Sequence, residues 1–355
     1  MAERLLRHPA IAYHEHSVRS EVQQICIEHG LEFEHDKFGN TLARLQTASR
    51  LRPLVLAAHL DHPGFELVRQ LSNNTWLARF RGGVPDNYFR RGVSLRLIPG
   101  GTPARLAERK DKREKIFEIR ATKPTASHPK FAVWGLDDFA LRDGCIHARA
   151  CDDLIGAASV LATMIELKRS RARVHVIGVL SRAEEVGLHG ALALAAARKL
   201  PPDSLVVSLE TSRELPGVKM GRGVILRVGD RASIFDSSAS RYLNEVAAGL
   251  ALKKTDFQFQ RALMSGGTCE ATAYQEFGYQ SAAVCVALGN YHNCGERNRI
   301  KAEYVSLADA CHMVDLLVEG AHQASNYECL VRRLPQRLNK LLREAKMKLQ
   351  RTATG

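Results

Sequence analysis

Residues 53–59 read PLVLAAH, and Leu60 and Asp61 follow. The run is continuously apolar and of strand length, without the polar alternation of a half-exposed strand, so it reads as a strand covered on both faces. His59 and Asp61 fall at its carboxyl end. Working outward, the same arrangement recurs. VHVIGVL (174–180) gives way to Ser181-Arg182-Ala183-Glu184-Glu185, SLVVSL (204–209) ends at Glu210, and SAAVCVAL (281–288) stops just ahead of His292. A fifth cluster, Asp152-Asp153, opens LIGAASVLATMIEL, whose apolar residues recur at helical spacing to about Lys168.

Helical periodicity also marks residues 16–29, through Val18, Val22, Ile25 and Ile27 with Gly30 as a stop, and residues 304–319. Strands alternating with helices predict an α/β fold with a mostly parallel sheet, and open sheets of that kind bind ligands at the carboxyl ends of their strands. Four of the five clusters sit there. Imidazoles and carboxylates are the side chains that hold zinc, cobalt or manganese, and a pair of ions needs about this many of them. Taken singly, each cluster has an ordinary reading: His59 as a satisfied core histidine, Glu184-Glu185 as a solvated pair, Asp152-Asp153 as a helix cap. Their convergence favours metal binding.

Residues 67–145 break the rhythm. Short strand-like pieces (TWLARF, VSLRLI, KIFEIRA, KFAVWG) alternate with Gly, Pro and Asn turns, which predicts an inserted all-β domain. The expected organisation is a catalytic domain from residues 1–66 and 146–327, the insertion at 67–145 and a basic extension at 328–355. In the extension Leu330, Leu334, Leu338, Leu341 and Leu342 recur at helical spacing among arginines and lysines, with Pro335 interrupting early. It reads as a basic amphipathic helix that packs on its own subunit or a neighbour, with a membrane surface or nucleic acid as alternatives.

The 355 residues carry a net charge of +13, much of it in two stretches, residues 105–120 and 332–351. Nucleic-acid surfaces interleave basic residues with aromatics, and the two stretches together offer only Phe117, so solvated faces are the expectation and nucleic acid is not. The eight cysteines include no C-x-x-C pair. With no secretory leader and no apolar run of bilayer-spanning length, the expected compartment is the reduced cytoplasm. Cys145 and Cys151 lie near a cluster, but a free cysteine is ordinarily a small buried hydrophobe.

HLDHPGF, CDDLIGAA, RAEEVGLHGA, SLET, SGGT and YHN-x-x-E occur in the order found in the di-metal aminopeptidases related to tetrahedral aminopeptidase, glutamyl aminopeptidase and proteins labelled endoglucanase (peptidase family M42). The chain resembles that family from about Leu5 to Glu319, including the DKFGN turn at 36–40. The resemblance implies the phosphorylase/hydrolase-like fold of zinc peptidases. It also implies a metal-dependent aminopeptidase that removes N-terminal residues from short peptides, using two divalent metal ions per subunit (zinc first, cobalt or manganese as alternatives). A homo-oligomer, with a dodecamer as one candidate form, is implied as well. In this sequence His59, Asp152 and Glu210 would hold one ion, and Asp152, Glu185 and His292 the other. Asp61 would orient His59, and Glu184 would be the general base acting on a metal-bridging water.

Departures from the family pattern fall near these residues. His62-Pro63-Gly64 stands where Glu-Ile-Gly is usual, Leu154 replaces an Arg, Cys269 and Glu270 follow SGGT where Asp is usual, and Glu210 replaces an Asp. The alternatives are an amide deacylase or carboxypeptidase using the same ligands, or a non-catalytic binding homologue. The endoglucanase label gains nothing here, because no carboxylate pair is left free of metal duty for glycoside chemistry.

Overall fold

The structure is a computed structural model that describes residues 1–48, 50–125 and 128–353. Thr354 and Gly355, the end of the basic extension, lie outside the described residues. An eleven-stranded sheet forms its centre. Its middle consists of β1 (Leu54–His59), β2 (His175–Ser181), β3 (Leu205–Arg213) and β4 (Gln280–Gly289), in the order β2-β1-β3-β4 and mutually parallel. Antiparallel strands extend both sides: Thr41–Gln46 and Glu32–His35 beyond β2, and Glu303–Ser306, Cys145–Ala148 and Ala140–Arg142 beyond β4. Every residue of β1 is buried, as a central strand covered by helices on both faces must be.

The helices behave as the periodicity predicts, with local differences. Helix α1 (Cys151–Arg169) packs on β1 and β3. It was expected to begin after the paired aspartates, but it includes them in an irregular first turn, with Asp152 at φ −82, ψ 110 and Asp153 at φ −117, ψ 38. Helix His16–Glu28, which follows a short helix at Ala2–Leu6, buries Val18, Val22 and Ile25 together with Cys26, whereas Ile27 points outward at 62% exposure. Gly30, at φ +60, ends it. Helices α2 (Ser237–Lys253) and α3 (Leu307–Gln323) contact β4, and α3 also packs on α1. Glu303–Ser306, expected to belong to the helical pattern of α3, is instead a strand between β4 and Cys145–Ala148.

Between β1 and α1 the chain closes a six-stranded barrel from Gly64–Ser72, Thr75–Arg81, Ser94–Ile98, Thr102–Asp111, Ile116–Ala121 and Phe131–Trp134. Its core is aromatic: Phe65 meets Phe80, Phe89, Phe117 and Trp134 edge to face, with centroids 4.9–6.2 Å apart. Phe117, the one aromatic of the basic stretch, is therefore a core residue and offers no face for a base to stack on.

The chain ends in α4 (Tyr327–Arg351). Pro335 was expected to interrupt it, but the helix runs straight through. A proline cannot donate to the carbonyl four residues back, and here that carbonyl, on Val331, accepts instead from Arg241 Nη1 on α2 at 2.8 Å. A neighbouring side chain thus repairs the bond that the proline removes.

Among the described residues no helix is long and apolar enough to cross a membrane, and all eight cysteines are free thiols.

Candidate metal centre

Strand register brings the clusters together. Ser181 pairs with His59 across β2 and β1, so the two strands end level and the chains leaving them, Leu60-Asp61 and Ala183-Glu184-Glu185, run side by side. The Asp61 carboxylate fixes this arrangement by accepting the backbone N–H of Glu184 at 2.9 Å on one oxygen and that of Glu185 at 3.1 Å on the other. Glu210 was read as the end of its strand. It lies inside β3, which continues to Arg213, but pairing with β1 stops at Ser208, so Glu210 still projects beyond the β1 edge.

His292 follows β4 in a turn where Asn290, His292 and Asn293 all adopt positive φ, at 54°, 53° and 62°. Non-glycine residues avoid this region unless neighbours hold them there. Glu303 does so. Its buried carboxylate accepts the backbone N–H of His292 at 2.8 Å and that of Asp152 at 3.0 Å, tying the segments of two candidate ligands to one group.

Two overlapping groups of potential ligand atoms result, each confined within 4.8 Å: His59, Asp152 and Glu210, and Asp152, Glu185 and His292. Asp152 belongs to both. The Nδ1–H of His59 donates to the Asp61 backbone carbonyl at 3.1 Å, and that of His292 to the Gly83 carbonyl of the barrel at 2.7 Å. The Nε2 atoms are left facing the carboxylates, His59 at 3.4 Å from Asp152 and His292 at 3.5 Å from Asp152 and 3.2 Å from Glu185. Asp61 was expected to orient His59 through its carboxylate, but those atoms are 3.7 Å apart; the Asp61 backbone carbonyl holds the ring, and the carboxylate shapes the glutamate turn. Glu184 stands outside both groups, with a carboxylate oxygen 3.9 Å from His59 Nε2.

The residues fit a metal. Asp152 Oδ1, Glu185 Oε1 and Glu210 Oε1 are buried and have no hydrogen-bond partner, a costly state for carboxylates unless a cation meets them. Neither Cys145 nor Cys151 joins either group.

Sequence reading marked His62 as a departure but did not show what it and its neighbours hold. His62, which replaces the usual Glu, is buried, with its ring nitrogens against the Asp152 carbonyl at 2.7 Å and Asn293 Oδ1 at 2.9 Å. Burial lowers its pKa to about 4. Asn293 in turn donates to the carbonyls of Arg149 and Lys301. Tyr291 stacks on His292 at 3.8 Å between centroids. Tyr291 and Asn293, inside the YHN-x-x-E motif, and His62, inside HLDHPGF, carried a sequence signal, but none of these contacts was readable from it.

From the cluster a cleft runs past Arg213, Arg227, Met264 and Cys269. Arg227 is buried, its Nε has no partner, and Nη1 makes one contact, to Ser212 Oγ at 3.3 Å. Burial would lower its pKa, but neighbours including Cys269, Glu210 and Asp230 outweigh that and keep it cationic.

Burial pushes the Glu210 carboxyl from 4.5 up to about 8, with His59 opposing. His59 and His292 are held well above 6.5: burial disfavours their charge, but the surrounding carboxylates outweigh it. In metal-free protein these groups bind protons that the unfolded chain releases. Their stabilisation is therefore full at low pH and is lost as pH rises through the folded values. The melting temperature of metal-free protein is expected to fall from pH 6.5 to about 8, while metal affinity rises as the site sheds its protons. Thermal scans with and without chelator across that interval check both; a metal-free curve that climbs toward pH 8 would contradict the reading.

Solved structures of peptidases share this architecture. The TET1 peptidase of Pyrococcus horikoshii, which assembles into a tetrahedron or a large octahedral shell, matches with TM-score 0.72 at 21% identity over 90% of this chain and 98% of its own. A TET aminopeptidase from a marine-sediment archaeon of the Thaumarchaeota matches with TM-score 0.75 at 20% identity over 92% and 98%. An endoglucanase from Thermotoga maritima has TM-score 0.69 at 15% identity over 93% and 99%. The fold is thus that of an α/β class populated by aminopeptidases. The family model of M42 glutamyl aminopeptidases matches residues 129–310, just over half of the chain, and the protein belongs to that family as a peptidase.

Proposed function

We propose that this protein is a two-metal aminopeptidase that removes N-terminal residues, acidic ones preferentially, from short peptides. The observation that carries the reading is the pair of ligand groups sharing Asp152, with Glu184 beside them but in neither. His59, Asp152 and Glu210 would hold one divalent ion and Asp152, Glu185 and His292 the other, with zinc first and cobalt or manganese as alternatives. Such ions, when bound, acidify water and polarise a carbonyl.

The chain's own residues supply the proton traffic. Burial drives the Glu184 carboxyl well above its ordinary range, with His59 opposing and Glu210, Glu185 and Asp61 adding to the rise. A carboxylate so placed accepts a proton from the attacking water and returns it to the leaving amine. Asp61 holds Glu184 in place through its backbone N–H. Arg227 supplies the selectivity: a family-type Asp after SGGT would offer it a carboxylate, but Cys269 stands there and leaves the guanidinium for an anionic substrate side chain.

A panel of aminoacyl anilides and short peptides, with metal stripped and restored, tests this. Metal-dependent release of N-terminal Glu or Asp, lost when the N-terminus is blocked, is expected. Turnover of blocked substrates would favour the deacylase alternative, and no turnover in metal-loaded protein the binding homologue. The TET relatives support a homo-oligomeric state, and the family resemblance implies that the inserted barrel forms part of its contact surface. A native mass at the 39.3 kDa monomer value would overturn that part.

A further inference from the structure

Helix α4 begins as part of the core and then leaves it. Tyr327, Leu330 and Val331 are buried. At 100° per residue the same stripe continues through Leu334, Leu338, Leu341, Leu342 and Leu349. The last four are 53%, 53%, 57% and 61% exposed, so a continuous apolar ridge runs out from the body uncovered. The flanks and back are cationic: between Tyr327 and Arg351 there are eight lysines and arginines against Glu328 and Glu344. At the base, a groove between α2, α4 and the neighbouring strand gathers Arg241, Arg261, Arg333 and Arg337 around one carboxylate, Glu245. Ser240 Oγ, also lining that groove, is buried and has no partner.

We propose that α4 and the arginine groove at its base dock this peptidase onto an anionic lipid bilayer. A leucine ridge bordered by lysines and arginines matches the depth profile of a membrane interface: the ridge enters the acyl boundary, the long cationic side chains reach back to headgroup phosphates, and the groove takes a headgroup. Two other occupants fit less well. Two copies of the helix pairing along the ridge would bring Arg337 and Lys348 flanks of like charge together. Nucleic acid would use the cations but not the leucines, and the one aromatic residue of α4, Tyr327, is buried in the core.

The test is co-sedimentation of the full chain with vesicles of phosphatidylcholine alone and of equal parts phosphatidylcholine and phosphatidylglycerol. Two surface variants, Leu338→Asp with Leu342→Asp and Arg333→Glu with Arg337→Glu, accompany wild type, and circular dichroism serves as a fold control independent of peptidase activity. Binding to the anionic vesicles only, weakened by salt and at least about tenfold by each pair of substitutions, supports the proposal. Absence of sedimentation with either vesicle overturns it. So does anionic binding that the leucine variant leaves unchanged, which would reassign the surface to nucleic acid or an acidic protein. A lipid-independent oligomer that the leucine variant dissociates would assign the ridge to a second copy.

Discussion

Changing Glu184 to Gln is expected to lower kcat about a thousandfold while leaving both metal ions bound and KM little changed. The amide matches the carboxylate in size but cannot accept a proton. Glu184 lies in neither ligand group, so its loss removes proton transfer without opening a coordination position. The backbone N–H that donates to Asp61 is untouched, so the turn and Glu185 keep their places. Steady-state kinetics with metal analysis on one preparation separates the two roles. Near-normal turnover by the Gln variant would remove Glu184 as the base; loss of a metal ion would make it a ligand.

The second large effect is expected at Asp152. Asp152→Asn should abolish activity together with occupancy of both ion positions, whereas Glu210→Gln should empty one and leave the other. The asymmetry follows from geometry, since only Asp152 belongs to both groups, with one oxygen 3.4 Å from His59 Nε2 and the other 3.5 Å from His292 Nε2. Elemental analysis gives the stoichiometry, and thermal denaturation with added metal gives the matching loss of ligand stabilisation. Full occupancy in the Asp152 variant would show that the two positions do not share a bridge.

Four of the five candidate clusters were legible because they follow apolar runs, and apolar runs are what a sequence displays most plainly. Their partition into two groups required the family resemblance. What stayed hidden acts through the backbone. Glu303 reads as one more acidic residue in a polar stretch, yet it holds the N–H groups of His292 and Asp152. His62 binds a main-chain carbonyl, which leaves no periodicity to notice. In the barrel, Gly64–Ser72 and Thr102–Asp111 escaped the strand reading because register shifts at Leu67/Arg69 and Leu106/Arg109 break their alternation. At Pro335 a local rule predicts a break, and Arg241, 94 positions earlier, cancels it.

The carbonyl of Gly83 has a consequence for protein engineering. The His292 ring is held in its tautomer by a loop of the barrel rather than by the sheet that carries the histidine. A chimera that exchanged this barrel for a relative's would therefore be rewiring the imidazole of a proposed ligand, even with the junctions placed far from every proposed ligand. Transplants that carry residues 82–84 unchanged are the ones expected to keep their metal.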